Sequence, residues 1–284
     1  SAAGVAFRRG AAILATSATH EAAVWQAVQR HAADAQLIRN RGELMVVPSG
    51  VSKASGLRHA LLQLGISPHS TIAVGDAEND LAMFDICEAG VAVGNAVAAV
   101  RTRADLVLPA PDGRGVADLL HRLDVGQRLA GGRQRWLVTL GRSPSGASVR
   151  LPAAGVDVLI AGGSGSGKSF VAGLIAEQLI QLGYVICVLD PEGDHAPLGR
   201  LPNAVTLGGR DRLPAVEDLA QIFEQSCTSV IIDQALVAPP HRAAWTARAI
   251  RFLERRRAAT GLPHWLVIDE AHHSLGGGGE AARI

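Results

Sequence analysis

At 284 residues, 48% of them hydrophobic, the chain has apolar material for one large domain or two ordinary ones, which argues against disorder. The formal net charge is +1, with eleven basic against twelve acidic residues up to Gly126 and sixteen against fourteen after it, so bulk charge marks neither half as a nucleic-acid footprint. Aromatics at 4% disfavour a stacked platform for single-stranded nucleic acid, and three widely spaced cysteines (Cys87, Cys187, Cys227) without a C-x-x-C pair suggest neither disulfides nor zinc. No apolar run approaches the ~18 residues of a membrane span and no signal-peptide pattern is visible, so a reducing cytoplasm is expected.

In chain order, residues 5–14 read as a strand and Glu21 to Ala33 as a helix. Gln36–Asn40 and Glu43–Val47 read as two strands joined at Arg41-Gly42. The spacing of Leu57, Leu61, Leu62 and Leu64 predicts an amphipathic helix from Ser52, with Lys53 in its first turn. A cation there opposes the helix dipole, which suggests an anion nearby. Lys53 and Lys168 are the only lysines among 27 Lys+Arg residues, so both invite scrutiny. Thr71 to Gly75 reads as a short strand with Asp76 at its carboxyl end, and Asn79 and Asp80 open the next helix. Ligands of open α/β sheets gather at such strand ends. Asp76 and Asp80 are spaced so that both carboxylates could face one Mg²⁺, or so that one caps the turn. Strands near Gly90 and Ala104 and a helix from Gly115 to Leu123 follow. Val125–Gly132 reads as a linker, within a stretch carrying Arg128, Arg133 and Arg135.

Trp136–Leu140 and Ala147–Leu151 read as a β-hairpin. Val156 to Phe170, VDVLIAGGSGSGKSF, then reads as an apolar strand, a glycine-rich loop and a helix start. Gly162, Gly163, Ser164, Gly165, Ser166, Gly167, Lys168 and Ser169 fit G-x-x-x-x-G-K-[ST], the phosphate-binding loop. Glycines let successive backbone N–H groups meet phosphate oxygens, and the helix start adds its dipole. Lys168 would neutralise β- and γ-phosphate charge, and Ser169 would join a Mg²⁺ shell. Tyr184–Leu189 predicts a strand ending in Asp190-Pro191-Glu192-Gly193-Asp194, a ligand-side acidic cluster or an ordinary turn. Ala204–Leu207 and Ser229–Ile232 predict strands, and Ala243–Ala259 an arginine-rich helix. His264–Ile268 is a strand running into Asp269-Glu270, the Walker B pattern: Asp269 for Mg²⁺, Glu270 to polarise the attacking water. His272 and His273 are adjacent and point apart, which disfavours a shared metal. Gly276–Gly279 reads as a loop.

Residues 1–125, through VVPSGVSKASGLRHALLQLGIS, IAVGDAENDLAMF, AVGNA and RADLVL, resemble the C-terminal part of a haloacid-dehalogenase (HAD) superfamily phosphatase with a mixed α/β cap. The resemblance implies that Lys53 steadies the phosphoryl group, Asp76 and Asp80 bind the metal, Asn79 touches phosphate and Asn95 lies near. The D-x-D-G-[TS] strand that carries that family's nucleophile and general acid/base is absent from the sequence. From Trp136 onward, VLIAGGSGSGKSF, VICVLDPEGD, SVIID and WLVIDEAHH resemble the HerA/FtsK-like P-loop ATPases. That resemblance implies ATP and Mg²⁺ as cofactors, a homo-oligomeric ring with an arginine from the neighbouring subunit, and DNA as a candidate polymer that the charge does not itself indicate. In that class a later strand inserts between the Walker A and Walker B strands; about fifteen glycine-rich residues follow Glu270 here, so the expectation is a fragment truncated at both ends.

The expected fold is α/β with two domains: a truncated HAD-like Rossmannoid domain with part of a cap (1–126), a linker and β-hairpin (127–150), and an ASCE-type P-loop NTPase domain (151–284). The expected function is a HerA-like ATPase module linked to a Mg²⁺-dependent phosphatase module. Two alternatives stay open: a phosphatase for a small phosphorylated metabolite with a regulatory nucleotide domain, and a non-catalytic nucleotide-binding switch.

Overall fold

The computed structural model describes residues 4–121 and 135–272, with side chains 224–226 excepted. The expected linker at 125–132, His273 and the loop at 276–279 lie outside the described residues. The chain divides into two compact units, one carrying most residues up to Arg133 and the other Gln134 onward.

The first unit begins with β1 (Arg8–Arg9) and β2 (Leu14–Ser17), followed by α1 (Glu21–Arg30), β3 (Ala35–Asn40) and β4 (Glu43–Pro48). The single strand expected over residues 5–14 is split, because the chain turns at Gly10, whose N–H donates to the Ile13 carbonyl. The four strands form an antiparallel sheet in the order β1-β2-β4-β3. Helix α2 (Lys53–Leu64), β5 (Ile72–Gly75), a 3₁₀ turn at Glu78–Asp80, α3 (Leu81–Phe84), β6 (Ala89–Ala92), α4 (Ala98–Arg103), β7 (Leu106–Val107) and α5 (Asp112–Leu120) follow. Strands β5, β6 and β7 are parallel neighbours in that order. Phe84, Val91, Val100 and Leu108 lie in their core, all but sealed from water. Gly90 is required there, since a Cβ on it would come 2.4 Å from the Phe84 ring.

The second unit opens with the hairpin β8 (Leu137–Arg142) and β9 (Ser148–Pro152). The hairpin packs into this unit rather than bridging to it: Val138 is buried against α6 (Lys168–Gln181), and Gln178 bonds both the N–H and the carbonyl of Thr139. Next come β10 (Ile186–Asp190), β11 (Ala204–Gly208), α7 (Leu219–Ser226), β12 (Ser229–Asp233), α8 (Pro239–Thr260) and β13 (Trp265–Ile268). They build a parallel sheet in the order β11-β12-β10-β13. Strand β10 is apolar without alternation up to Asp190 because both its faces are covered. Ile186 and Val188 pack with Ile175 and Leu179 of α6, while Cys187 and Leu189 pack with Phe223, Ile250 and Leu253 on the opposite side.

One expected strand is missing. Val156–Ala161, read from its apolar run as the strand before the phosphate loop, is not in a ladder; Leu159 is 92% exposed. A strand needs hydrogen bonds from a neighbouring edge, and Val156–Ala161 makes no ladder with the free edge of β13. A groove of about 370 Å³ lies there instead, lined by Leu159, Ile160, Trp265 and Val267 and ending at Lys168 and Glu270.

Candidate functional site

Each unit has a glycine-containing loop that leads into a helical turn and carries charged groups, but only the first unit's loop follows a strand. In the first, β5 ends at Gly75, which must be glycine because a Cβ would come 2.4 Å from Asp80 Cβ. The Asp80 carboxylate turns back into the loop. Its Oδ2 accepts the N–H groups of Asp76 at 2.9 Å and Ala77 at 3.2 Å, while its Oδ1 pairs with Lys53 Nζ. Burial pushes the Asp80 carboxyl up, but the bonds from Lys53, Asp76 and Ala77 and the Lys53 charge together outweigh it and hold it below the usual value. The anion that the Lys53 position suggested is therefore Asp80 in this structure.

Asp76 points elsewhere: its carboxylate pairs with the Arg41 guanidinium at the β3–β4 turn, and the Arg41 N–H donates to Glu78 Oε2 at 2.7 Å. Arg41 takes this turn position with φ +55°. Nothing local in the sequence singles out Arg41 as a partner of Asp76. Asn79 Oδ1 is buried and has no hydrogen-bond partner among the described residues. Asn95 is held by Asp112 through both its amide atoms.

In the second unit, Gly165 and Gly167 adopt φ +74° and +88°, and Gly167 leads directly into α6, whose first two residues are Lys168 and Ser169. At Gly163, Gly165 and Gly167 a Cβ would meet nothing within 4 Å, so the loop rims open space. Gly162 is confined, with a Cβ coming 2.5 Å from Ser166 Oγ. Lys168 Nζ lies 3.3 Å from the Gly163 carbonyl and 3.7 Å from Glu270 Oε1. Lys168 of the glycine loop and Glu270 after β13 thus approach each other in the groove beside β13.

Asp269 is 7% exposed. Its Oδ1 accepts the Glu270 N–H at 2.9 Å, and its Oδ2 lies 3.0 Å from His195 Nε2. Glu270 has φ +45°, and its Oε2 meets His272 Nδ1 at 3.2 Å. Of the acidic turn after β10, Asp190 is fully buried and structural: its oxygens accept the N–H groups of Gly193 and His195, each at 2.8 Å. Burial pushes its carboxyl up. His195 has no period or motif to mark it; its place just after the ligand-side acids is the only signal the sequence offers. Among the described residues no group of three or more His, Cys, Asp or Glu side chains could hold a metal by itself.

Residues 13–120 match the family model described as haloacid dehalogenase-like hydrolase, and residues 147–239 match Helicase HerA, central domain. Among curated relatives, a phosphoglycolate phosphatase of Archaeoglobus fulgidus is 41% identical over 78 residues, covering 28% of this chain and 35% of its own. The chloroplastic endoribonuclease YBEY of Arabidopsis thaliana is 39% identical over 79 residues, covering 28% of this chain and 14% of its own. A solved haloacid dehalogenase-like hydrolase from B. subtilis is 29% identical over 39% of this chain and 40% of that one, with a TM-score of 0.34. The chain spans between 14% and 40% of the length of the curated relatives it matches. Along the chain, the segment similar to the haloacid dehalogenase-like hydrolases thus precedes the one similar to the HerA central domain.

Proposed function

We propose that the second unit binds and hydrolyses ATP with Mg²⁺ on Gly162–Ser169. The observation that carries this reading is the approach of Lys168 to Glu270, 3.7 Å apart, beside an open glycine loop and a buried Asp269. The residues fit the ion: Mg²⁺ is usually held by one or two carboxylates or hydroxyls together with phosphate oxygens and water, so no preformed cage is needed. Ser169 and Asp269 would hold it, and it would supply charge neutralisation between β- and γ-phosphates. Lys168 leaves Glu270 for the phosphates when they arrive, because a polyphosphate offers more negative charge than one carboxylate. Glu270, released from Lys168, orients water and accepts its proton. The HerA likeness extends this reading to a ring of subunits acting on DNA.

For the first unit we propose part of a Mg²⁺-dependent phosphomonoester site, the chemistry in the names of the phosphoglycolate phosphatases it resembles. Asp76 and Asp80 would serve the metal, Lys53 the phosphoryl group, and Asn79 a phosphate oxygen. Asn79 Oδ1, buried and without a hydrogen-bond partner among the described residues, only accepts and so suits a cation, while the Asn79 amide nitrogen would serve the phosphate. With Asp80 already bound by Lys53 and two backbone N–H groups, Asp76 is the freer carboxylate for the metal once Arg41 releases it.

Titration with a fluorescent ATP analogue in Mg²⁺ tests the ATP reading. Lys168→Ala should weaken binding by roughly tenfold or more, as expected for losing a contact to a charged group. Glu270→Gln should bind and not turn over. Equal binding by Lys168→Ala and wild type ends the reading; binding without any Glu270-dependent turnover leaves a nucleotide switch. Stimulation of turnover by DNA would favour translocation.

A further inference from the structure

We propose that His195 is a positioning residue for Asp269, setting the direction in which that carboxylate meets the metal–nucleotide complex. The proposal rests on the ATP reading above.

The backbone at His195 is fixed before its ring is considered. Its N–H donates to Asp190 Oδ2, and Gly193 donates to the other oxygen of the same buried carboxylate. The turn is pinned again where Arg242 Nη1 of α8 donates to the Pro191 carbonyl at 3.0 Å. The ring, on a residue only 4% exposed, then lies between two elements that the sequence keeps far apart. On one side is Gly173 of α6, where a Cβ would come 3.3 Å from Nδ1, so a side chain there would press on the imidazole. On the other side Nε2 lies 3.0 Å from Asp269 Oδ2, across 74 residues of sequence. An ionised carboxylate only accepts, so Nε2 carries the proton and donates it. With Glu270 N–H on Oδ1, both Asp269 oxygens are held, and each keeps a lone pair for a further contact. The imidazole thus bonds the carboxylate that follows β13 with one edge and faces the helix after the phosphate loop with the other.

A merely structural pair predicts something different. Replacing both members of a buried polar pair, or its donor by an apolar group, affects folding and should leave the metal dependence of nucleotide binding as it is. A positioning group acts the other way, because outer partners of a ligating carboxylate alter metal affinity.

Two measurements on the 284-residue chain decide it. In metal-free and nucleotide-free protein, long-range ¹H–¹⁵N spectra of the imidazoles, with the His195 signal identified by its loss in His195→Gln, should show the Nε2–H tautomer; an Nδ1–H tautomer overturns the proposal. Fluorescent-ATP titrations are then run in EDTA and in Mg²⁺. In EDTA, His195→Leu and His195→Gln should bind like wild type. In Mg²⁺, His195→Leu should lose about 10- to 100-fold of the metal-dependent gain, the range seen for outer-sphere partners. His195→Gln, which keeps an amide donor near Nε2, should recover most of it. If His195→Leu keeps the gain that Asp269→Asn loses, or if Gln is as impaired as Leu, His195 is not a positioning residue and the ATP reading stands. If wild type and Lys168→Ala bind equally weakly in both buffers, both readings fall together.

Discussion

The loops at Gly75–Asp80 and Gly162–Ser169 both run from glycine through a turn into a helical start, the first from a strand and the second from an unpaired segment, and they reach opposite states. In the first, Asp80 fills the space that Gly75 leaves, and Lys53 is neutralised by Asp80 while Arg41 neutralises Asp76. In the second, Gly163, Gly165 and Gly167 face open space, and the nearest carboxylate to Lys168 stands off at 3.7 Å. Glycine serves internal packing in one loop and room for something else in the other. The two lysines, alike in sequence rarity, differ in the same way: one is matched by its own chain and the other is only loosely held.

Gly75→Ala against Gly163→Ala tests this contrast most strongly. A Cβ 2.4 Å from Asp80 Cβ overpacks a closed turn and should cost about 3 kcal/mol. Gly163→Ala meets nothing within 4 Å and should change stability by less than ~0.5 kcal/mol while still weakening nucleotide binding. Hydrogen exchange of the β5 and β6 amides against those of α6 reads the two effects separately. Equal protection losses would break the comparison.

Lys53→Met against Lys168→Met comes next. Removing Lys53 leaves the Asp80 side chain, 4% exposed, without its charge partner and should cost about 1–2 kcal/mol, whereas Lys168→Met should be nearly neutral. The acid limb follows from the sign of the shift. The folded pKa of Asp80 lies below the unfolded 3.8, so its contribution is complete above pH 3.8 and is lost as pH falls through the lower folded value. In Lys53→Met the folded pKa rises, and that loss moves to higher pH. Acid unfolding of both variants in EDTA, followed by exchange at β5, checks it; coincident acid limbs would show that Lys53 does not set the Asp80 ionisation.

The smallest effect belongs to Leu159. At 92% exposure, Leu159→Ser should shift denaturant unfolding by less than ~0.5 kcal/mol. A larger loss would mean that the segment before the phosphate loop is docked in solution and that the groove beside β13 is filled.

Much of this architecture is legible locally. Glu43–Val47 and Ser229–Ile232 were readable as strands to within a residue, because β-branched apolar runs bounded by turn residues need no distant information. The glycine loop and Asp269-Glu270 were legible as motifs, since each chemistry demands its residue types at fixed spacing. The break at Gly10 and the unpaired Val156–Ala161 segment were not. An apolar run records a preference for burial, while a strand exists only when a second edge supplies its hydrogen bonds.

By itself, then, the sequence determined most of the elements, the apolar strand at β10, and the two glycine-containing loops with the chain's two lysines beside them. Tertiary structure alone decided how the charges in those loops are partnered: Lys53 with Asp80, Arg41 with Asp76, and His195 with Asp269. Those pairs join residues 27, 35 and 74 positions apart. Their energies depend on distance and burial in the folded chain, and neither periodicity nor local spacing encodes which distant charge a turn will meet.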